Sequence, residues 1–305
     1  MLLKPRTPSM ELKILRSLNS RMSLSPDERM HYWKLEKGYQ GEVMFDQLTV
    51  NLQSDKFVIN DLCLPNNNSF FQIDTLIISQ ETIYPFEIKN FEGDYYFDSN
   101  SESDGFYTMK KEEIQNPLVQ LKRIKLLLGP LLKNLGFHVP IDGYVPFVNP
   151  KFTLYQAPLD KPIIFPTQLD NFIKKFNQIP SRLSGKHRKL ADQLISMHLT
   201  ETPYSRTIQY QFRPLKKGVL CSTCFSFMYF DNGGKLVCGK CGCEEDVVIG
   251  VIRSVEEIKL LFPDLKITTN LVHEWCGVIG SRKMIRRILT KNMKVIGYGR
   301  WFYYE

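Results

Sequence analysis

The sequence predicts a mixed α/β fold in which a sheet is flanked by helices, followed by two small C-terminal modules. Strand, strand, strand, helix, strand and helix patterns follow one another over residues 26–200, which is typical of such a sheet. Four cysteines in two C-x2-C pairs then lie between residues 221 and 241. Two helical patterns, a basic helix and a hairpin pattern complete the chain.

These patterns divide the chain into five predicted segments. Residues 1–24 are basic and poorly periodic, and we expect them to be only loosely attached. A boundary near 200–218 follows from the excess of Lys and Arg over Asp and Glu at 181–217. The segments are an N-terminal basic segment (1–24), the α/β domain (25–200), a basic linker (201–217), the cysteine module (218–248) and the C-terminal module (249–305).

Length and composition narrow the class of protein. A chain of 305 residues with 43% hydrophobic and 24% charged residues is typical of an ordinary globular protein of two or three domains. Its net charge of +8 favours an acidic partner, with nucleic acid the leading candidate. Because the sequence has no secretory signal and no long apolar run, we expect a cytoplasmic protein that does not bind membranes. Disulfides are rare in that compartment.

The most informative stretch is a predicted hairpin of two apolar strands, Phe71–Ser79 and Thr82–Phe91, joined by a two-residue turn. In this register Asp74 lies directly opposite Glu87, and Lys89 projects from the same face as Glu87. Directly opposed residues have Cβ atoms about 4.5–5.5 Å apart. Two carboxylates are therefore predicted to lie close together within apolar strands, where charge is unfavourable.

A divalent cation would balance these two charges. Asp74 and Glu87 would bind Mg²⁺ or Mn²⁺ through oxygen, and the backbone carbonyl of Ile88 is a possible third ligand. The cation would polarise a phosphate and help to generate hydroxide, while Lys89 would orient the water and offset negative charge in the transition state. This arrangement is typical of a metal-dependent phosphodiesterase. The alternative is a structural ion pair between Lys89 and one of the two carboxylates.

A helix is predicted from Ser25, a capping residue with Glu three positions later, to about residue 52. Gly38 and Gly41 weaken this helix midway and would let another element approach beside Glu42. From this stretch alone, Glu42 is interpreted as a solvated helix residue.

Four motifs follow one another in order over about residues 36–150: Gly38-x-x-Gly41-Glu42, Gln72-Ile-Asp74, Phe86-Glu-Ile-Lys-Asn90 followed by Gly93, and Asn116-Pro-x-x-Gln120. Together they resemble the nuclease-related (NERD) domain of the PD-(D/E)xK nuclease superfamily. The resemblance implies the superfamily αβββαβ core and divalent-metal hydrolysis of DNA.

The resemblance also implies roles for five residues. Asp74, Glu87 and Lys89 match the catalytic triad of the superfamily. Glu42 becomes a contributor near the metal, and Gln120 a helix-borne polar group that faces the site. One departure is the acidic segment 92–104, which is longer and more negative than expected of a surface that faces phosphate.

The cysteine module resembles a zinc ribbon. Thirteen residues separate the pair Cys221 and Cys224 from the pair Cys238 and Cys241, and a hairpin sequence with an Asp-Asn-Gly-Gly turn lies between them. Four thiolates at this spacing predict a structural Zn²⁺ site, in which no position is open for water. Cys243 could replace Cys241 as a ligand. Reduced cysteines without a metal are the alternative.

The C-terminal module has the element order of a winged helix-turn-helix. A helix that opens at a capping box on Ser254, helices at 268–276 and 281–291, and a hairpin around 297–300 are predicted. Residues 277–304 contain seven Lys or Arg residues and no Asp or Glu, so we expect this module to bind DNA; a solvated basic face is the alternative. The basic residues are Arg282, Lys283, Arg286, Arg287, Lys291, Lys294 and Arg300.

The sequence as a whole favours a DNA nuclease that uses Mg²⁺ or Mn²⁺ for catalysis and Zn²⁺ for structure. Two other interpretations stay open. The chain could be a non-catalytic DNA-binding protein with a degenerate nuclease fold as scaffold. It could also be an RNA-processing nuclease, because no feature of the sequence discriminates for or against the 2′-hydroxyl.

Overall fold

The computed structural model describes residues 1–66, 69–98, 105–200, 208–231 and 234–305, with only the backbone described at position 300. The chain forms two compact units. The first consists of Met1–Thr7 and Leu35–Pro203, and the second of Pro8–Lys34 and Tyr204–Glu305. Within the described ranges, none of the helices combines the length and apolar character that crossing a bilayer requires.

Helices and strands occur in runs along the chain. The helices are α1 (Met10–Arg21), α2 (Pro26–Thr49), α3 (Pro117–Asn134), α4 (Leu169–Gln178), α5 (Gly185–Ser196), α6 (Val247–Leu261), α7 (Thr269–Cys276) and α8 (Arg282–Asn292). The strands are β1 (Leu2–Lys4), β2 (Phe57–Asn66), β3 (Ser69–Ile78), β4 (Ile83–Phe86), β5 (Gly93–Asp98), β6 (Gly105–Thr108), β7 (Glu113–Ile114), β8 (Val145–Pro146), β9 (Phe152–Tyr155), β10 (Ile163–Ile164), β11 (Met228–Phe230), β12 (Lys235–Cys238), β13 (Glu244–Asp246), β14 (Val295–Ile296) and β15 (Tyr303–Tyr304).

A four-stranded mixed sheet of order β1-β2-β3-β4 lies at the centre of the first unit. β1 runs parallel to β2, and the other neighbours are antiparallel. β3 and β4 pair from Thr75 with Phe86 to Ile78 with Ile83, which is the register predicted from the two-residue turn. A second sheet of order β7-β6-β5-β9 and a parallel pair, β8 with β10, complete the unit. The predicted mixed sheet flanked by helices is confirmed.

The predicted strand at 82–91 pairs with β3 only as far as Phe86. Beyond this point the chain continues beside residues 141–147, where parallel bridges join Phe86 to Tyr144 and Lys89 to Phe147. β4 therefore has a neighbour on each side, whereas its continuation has left β3.

Alternation along the strands places hydrophobic clusters on both faces of the central sheet. Ile59 and Ile78 belong to one cluster, which also contains residues of α3 and α5. Val58 and Ile77 belong to the other, together with Phe45 of α2 and aromatic residues of β4 and α4. The site-bearing strands are thus fixed from both sides by apolar burial, worth roughly 1.5–3 kcal/mol for each large side chain.

Residues 1–24, predicted to be only loosely attached, are instead structured. Leu2 and Lys4 pair with β2, so the start of the chain forms a strand of the central sheet. Leu15 and Leu18 of α1 are fully buried in the second unit. The prediction failed because β1 is too short to show periodicity, and because its stability comes from a partner strand far along the chain.

The second unit contains the cysteine module and the predicted three helices and hairpin. β11, β12 and β13 form an antiparallel sheet, and β14 pairs with β15 after α8. The helix predicted to open at Ser254 begins earlier, at Val247, with Asp246 as its N-cap. Ser254 lies inside the helix, where its hydroxyl donates to the carbonyl of Gly250 at 2.8 Å. The capping box at Ser254 was therefore a chance match within a longer buried helix.

Arg21 is a buried charge that organises the second unit. Its side chain is fully buried, and its guanidinium donates to both carboxylate oxygens of Glu257 at 2.8 and 2.7 Å. The carbonyl oxygens of Lys216 and Gly218 accept further bonds from it, at 2.6 and 2.9 Å. Trp275 Nε1 also donates to Glu257, at 3.1 Å. The network satisfies both charges away from water.

We predict that Arg21→Met lowers the free energy of unfolding by about 3–5 kcal/mol, because it leaves the carboxylate of Glu257 buried without its counter-ion. Arg188→Met is the matched control, because Arg188 pairs with Asp192 at 2.9 Å on an exposed helix face. Its effect should stay within about 0.5–1 kcal/mol. Urea unfolding followed by circular dichroism measures both, and equal losses in the two variants would contradict the prediction.

Candidate active site and cysteine cluster

The hairpin register brings the two predicted carboxylates together at the point where β3 and β4 separate. The last pair of the ladder is Thr75 with Phe86; Asp74 comes just before Thr75 in the chain, and Glu87 just after Phe86. The N–H of Ile88 does not pair with the backbone of β3. It donates a hydrogen bond to the carboxylate of Asp74, with an Oδ2–N distance of 2.8 Å. The side chain of Asp74 thus spans the gap between the two diverging strands.

Glu87 and Lys89 form a close ion pair beside Asp74. Lys89 Nζ lies 2.6 Å from Glu87 Oε1, and both side chains are largely buried. Their backbone is held from the other side, since Glu87 N donates to the Tyr144 carbonyl and Lys89 N to the Pro146 carbonyl, at 3.0 and 2.9 Å. The ion pair considered as the structural alternative is therefore present.

Arg6 is a site residue that the sequence analysis missed. Its guanidinium is almost completely buried and donates to Glu42 Oε2 at 2.5 Å and to Asp46 Oδ2 at 2.9 Å. It also donates to the backbone carbonyl of Asp74 at 2.8 Å and to the hydroxyl of Thr75 at 3.0 Å. Arg6 thus links α2 to the strand that carries Asp74. No motif or periodic pattern in the sequence indicates a role for Arg6, because it lies in a segment without periodicity.

Glu42 is not a solvated helix residue. Its side chain is 20% exposed and bound to Arg6, close enough to Asp74 for that charge to affect its ionisation. The close approach predicted beside it occurs at Gly41, where an added Cβ would lie 2.4 Å from the Cβ of Asn90. Asn90 Nδ2 in turn donates to the carbonyl of Lys37 at 2.7 Å. The small residue lets α2 pack directly against the segment that carries Lys89.

Burial raises the pKa of all three carboxyl groups, and the neighbouring cations do not cancel the rise. Burial raises the pKa of Glu42 to about 8; the charge of Asp74 adds to the rise, and Arg6 opposes it. Burial and the charge of Asp74 raise the pKa of Glu87 to about 7, in spite of Lys89. Burial also raises the pKa of Asp74, against Lys89, the N–H of Ile88 and Arg6. The site therefore favours an additional positive charge, either a proton or a cation.

Two further predicted groups have features that suit a ligand. Gln120 stands in the first turn of α3, which packs against β3 and β4. Its Oε1 atom is buried and has no hydrogen-bond partner among the described residues. The carbonyl of Ile88 likewise accepts no backbone hydrogen bond from the described part of the chain. Oxygen atoms are the ligands that Mg²⁺ and Mn²⁺ prefer, so the buried carboxylates of Asp74 and Glu87 and the carbonyl of Ile88 fit such a cation.

The four cysteines of the two C-x2-C pairs converge. The Sγ atoms of Cys221, Cys224, Cys238 and Cys241 all lie within 4.8 Å of one another. Cys221 and Cys241 are 3.6 Å apart at sulfur, and Cys224 and Cys238 are 3.5 Å apart. Tetrahedral zinc with Zn–S bonds of about 2.3 Å places its sulfurs roughly 3.8 Å apart, so the cluster fits Zn²⁺.

Cys243, the other possible ligand, is not part of the four-cysteine cluster. Its sulfur lies 3.9 Å from the carbonyl oxygen of Glu244, at the start of β13. The geometry thus favours Cys241 over Cys243 as the fourth ligand.

The predicted DNA-binding residues lie on α8 and at the start of β14. Ile285, Ile288 and Leu289 bury the inner face of α8, as predicted. Most of the basic residues are exposed: Arg282, Lys283, Arg286, Arg287, Lys291 and Lys294. The side chain of Arg300 lies outside the described part of the structure.

Comparison with known proteins agrees with the resemblance seen in the motifs. Residues 37–148 match the family model described as the nuclease-related domain (NERD). The match includes Glu42, Asp74, Glu87, Lys89 and Gln120, whereas Arg6 lies outside it. No curated protein and no solved structure matches the chain.

The raised pKa values give a prediction for stability. Glu42 and Glu87 have folded pKa values of about 8 and about 7, above the ordinary 4.5, so the folded state binds their protons more tightly. Their contribution is complete below about pH 4.5 and is lost as the pH rises towards 8. In buffer without added magnesium, Glu87→Gln should flatten the fall in the free energy of unfolding between pH 5 and 8. Glu81→Gln, in the exposed turn of the same hairpin, should keep the slope of the unmodified protein; a slope unchanged by Glu87→Gln would contradict the prediction.

The cysteine geometry gives a second prediction. Cys241→Ser should abolish stoichiometric zinc binding, whereas Cys243→Ser should retain one zinc ion per chain, because only Cys241 lies in the cluster. Native mass spectrometry of the two variants measures the bound metal. Zinc retained by Cys241→Ser and lost by Cys243→Ser would reverse the assignment.

Proposed function

We propose that this chain is a divalent-cation-dependent nuclease that hydrolyses phosphodiester bonds of DNA, with Asp74, Glu87 and Lys89 as its catalytic residues. One observation carries the proposal. At the separation of β3 and β4, the buried carboxylate of Asp74 accepts a hydrogen bond from the N–H of Ile88, and Glu87 and Lys89 lie beside it as an ion pair 2.6 Å apart. Burial and the charge of Asp74 raise the pKa of Glu87 in spite of Lys89, so the site favours a further positive charge.

Asp74, Glu87 and the carbonyl of Ile88 would hold Mg²⁺ or Mn²⁺. When bound, such a cation supplies Lewis-acid polarisation of a phosphate and lowers the pKa of water. Asp74 already holds the N–H of Ile88, so the carboxylate and the neighbouring carbonyl are fixed relative to each other. This preorganisation avoids rearrangement when substrate binds.

Lys89 would act on the phosphate and on the attacking water. An ammonium group has three N–H donors, and Glu87 Oε1 accepts one of them. The remaining donors can orient a water molecule and stabilise negative charge on a phosphate oxygen. Glu87 holds Nζ in place through this bond, so the lysine needs no reorientation as charge develops.

Glu42 and Gln120 would complete the site from the two helices. Glu42 forms an ion pair with Arg6, and the charge of Asp74 raises its pKa. Both observations support a position of Glu42 near the proposed cation. Gln120 would offer its unpaired Oε1 to a water or to the cation. Both residues lie within the part of the chain that matches the nuclease-related domain.

DNA is the proposed substrate because of the basic C-terminal module. Residues 277–304 carry seven basic and no acidic residues, and most of the basic side chains are exposed on α8. Such a surface binds the phosphate backbone by releasing counterions. Residues 99–104 of the acidic segment after Lys89 lie outside the described part of the chain. At its start, Lys37 and Lys151 lie 3.4 and 3.3 Å from the carboxylate of Glu92 and offset its charge.

We predict that Asp74→Asn, Glu87→Gln and Lys89→Met each lower the cleavage rate at least about 100-fold, because each removes a charge from the reacting centre. Glu81→Gln should retain the rate within about twofold, since Glu81 lies in the exposed turn. The assay compares supercoiled, linear and single-stranded DNA with RNA of the same sequence, each with Mg²⁺, Mn²⁺ or chelator.

Full activity of Asp74→Asn, in a preparation free of contaminating nuclease, would overturn the proposal. Tight DNA binding without cleavage under any cation would favour the non-catalytic DNA-binding protein. Faster cleavage of RNA than of DNA would favour an RNA-processing nuclease.

A further inference from the structure

Two aromatic side chains project from the loop between β14 and β15. Tyr298 is 91% exposed and Trp301 is 77% exposed. We refer to these two residues as the wing tip. Large aromatic side chains are mostly buried in globular proteins, and neighbouring exposed ones mark binding surfaces. Neither residue has a role in the nuclease site proposed above.

The hairpin that carries the wing tip is anchored at its base. Tyr298 stands between Gly297 and Gly299, whose φ angles of +84° and +63° lie in the left-handed region that favours glycine. Below the tip, Tyr304 is 1% exposed, and its N–H donates to the carbonyl of Ile267 at 2.9 Å. The aromatic side chains therefore rise from a hairpin whose base is anchored in the unit.

The charge around the wing tip defines its partner. Lys291 is exposed at the end of α8 and Lys294 just before β14, and the sequence has no acidic residue between Gly277 and Tyr304. Glu305, the next residue, exchanges backbone hydrogen bonds with Lys294 at 2.9 Å. The basic excess favours a partner that combines negative charge with flat apolar groups. Nucleic acid has both, and aromatic side chains stack on bases irrespective of sequence.

The form of DNA follows from the geometry of stacking. In an intact duplex the faces of the bases are covered by their neighbours, so an aromatic ring has access only where bases are unpaired or at an end. We propose that the wing tip stacks on unpaired bases, so that the protein binds DNA with a single-stranded region or a fork more tightly than blunt duplex. This inference rests on the proposed action on DNA and specifies the structure of the substrate.

The test measures affinity in the full-length chain. Fluorescence anisotropy compares forked, single-stranded and blunt duplex DNA of equal length at one fixed salt concentration, in an Asp74→Asn background without added magnesium. The double variant Tyr298→Ala/Trp301→Ala should lose at least about tenfold in affinity for forked and single-stranded DNA, and less than about threefold for blunt duplex. The double variant Tyr298→Phe/Trp301→Phe should bind each DNA within about threefold of the affinity of the parent protein, because phenylalanine still stacks on bases.

Tyr229→Ala is the matched control, since Tyr229 is also an exposed aromatic residue of the second unit, 54% exposed on β11. It should bind all three DNAs as the parent does.

Equal losses of affinity for forked and blunt DNA, or no loss of affinity in the alanine double variant, would overturn the proposal. Loss of binding to vesicles of anionic phospholipid, with DNA binding unchanged, would overturn it in favour of a membrane surface. Because this experiment measures binding, failure of the stacking proposal can be distinguished from failure of the proposed nuclease activity, which the cleavage assay tests.

Discussion

The nuclease-like site depends on the separation of β4 from β3 just beyond the pair of Thr75 with Phe86. If the ladder continued, the N–H and carbonyl of Ile88 would pair with β3, and the carboxylate of Asp74 would lose its position. Instead Asp74 bridges the gap to the N–H of Ile88, and residues 144–146 hold Glu87 and Lys89 from the other side. One local departure from regular pairing thus sets the positions of both carboxylates and the lysine.

This arrangement opposes folding stability. Burial raises the pKa of Glu42, Asp74 and Glu87, and the charge of Asp74 adds to the rise at both glutamates. Arg6 and Lys89 oppose these shifts only in part. The apolar clusters on both faces of the sheet keep the strands in place in spite of this repulsion. Strain of this kind persists only where the surrounding structure over-determines it, and it is characteristic of functional sites.

The sequence predicted the parts of the site that local rules control. A two-residue turn fixes the register of a hairpin, so the opposition of Asp74 and Glu87 could be read directly. The role of Arg6 in the site could not be predicted. Its hydrogen-bond partners lie far from it in the sequence, and no local pattern links it to them. The start of α6 was also missed, because Asp246 and Ser254 are comparable capping signals, and the burial of Val247, Gly250 and Val251 between them favours the earlier start.

The position of Arg6 bears on how this domain can be isolated. The family match begins at residue 37, and a fragment cut at its limits would contain every motif residue yet lack the guanidinium that binds Glu42, Asp46 and the backbone of Asp74. It would also lack β1, the outer strand of the central sheet, and α5, which belongs to its hydrophobic core. Inactivity of such an excised fragment would therefore reflect the loss of these supports, and would say nothing about the chemistry of the intact chain.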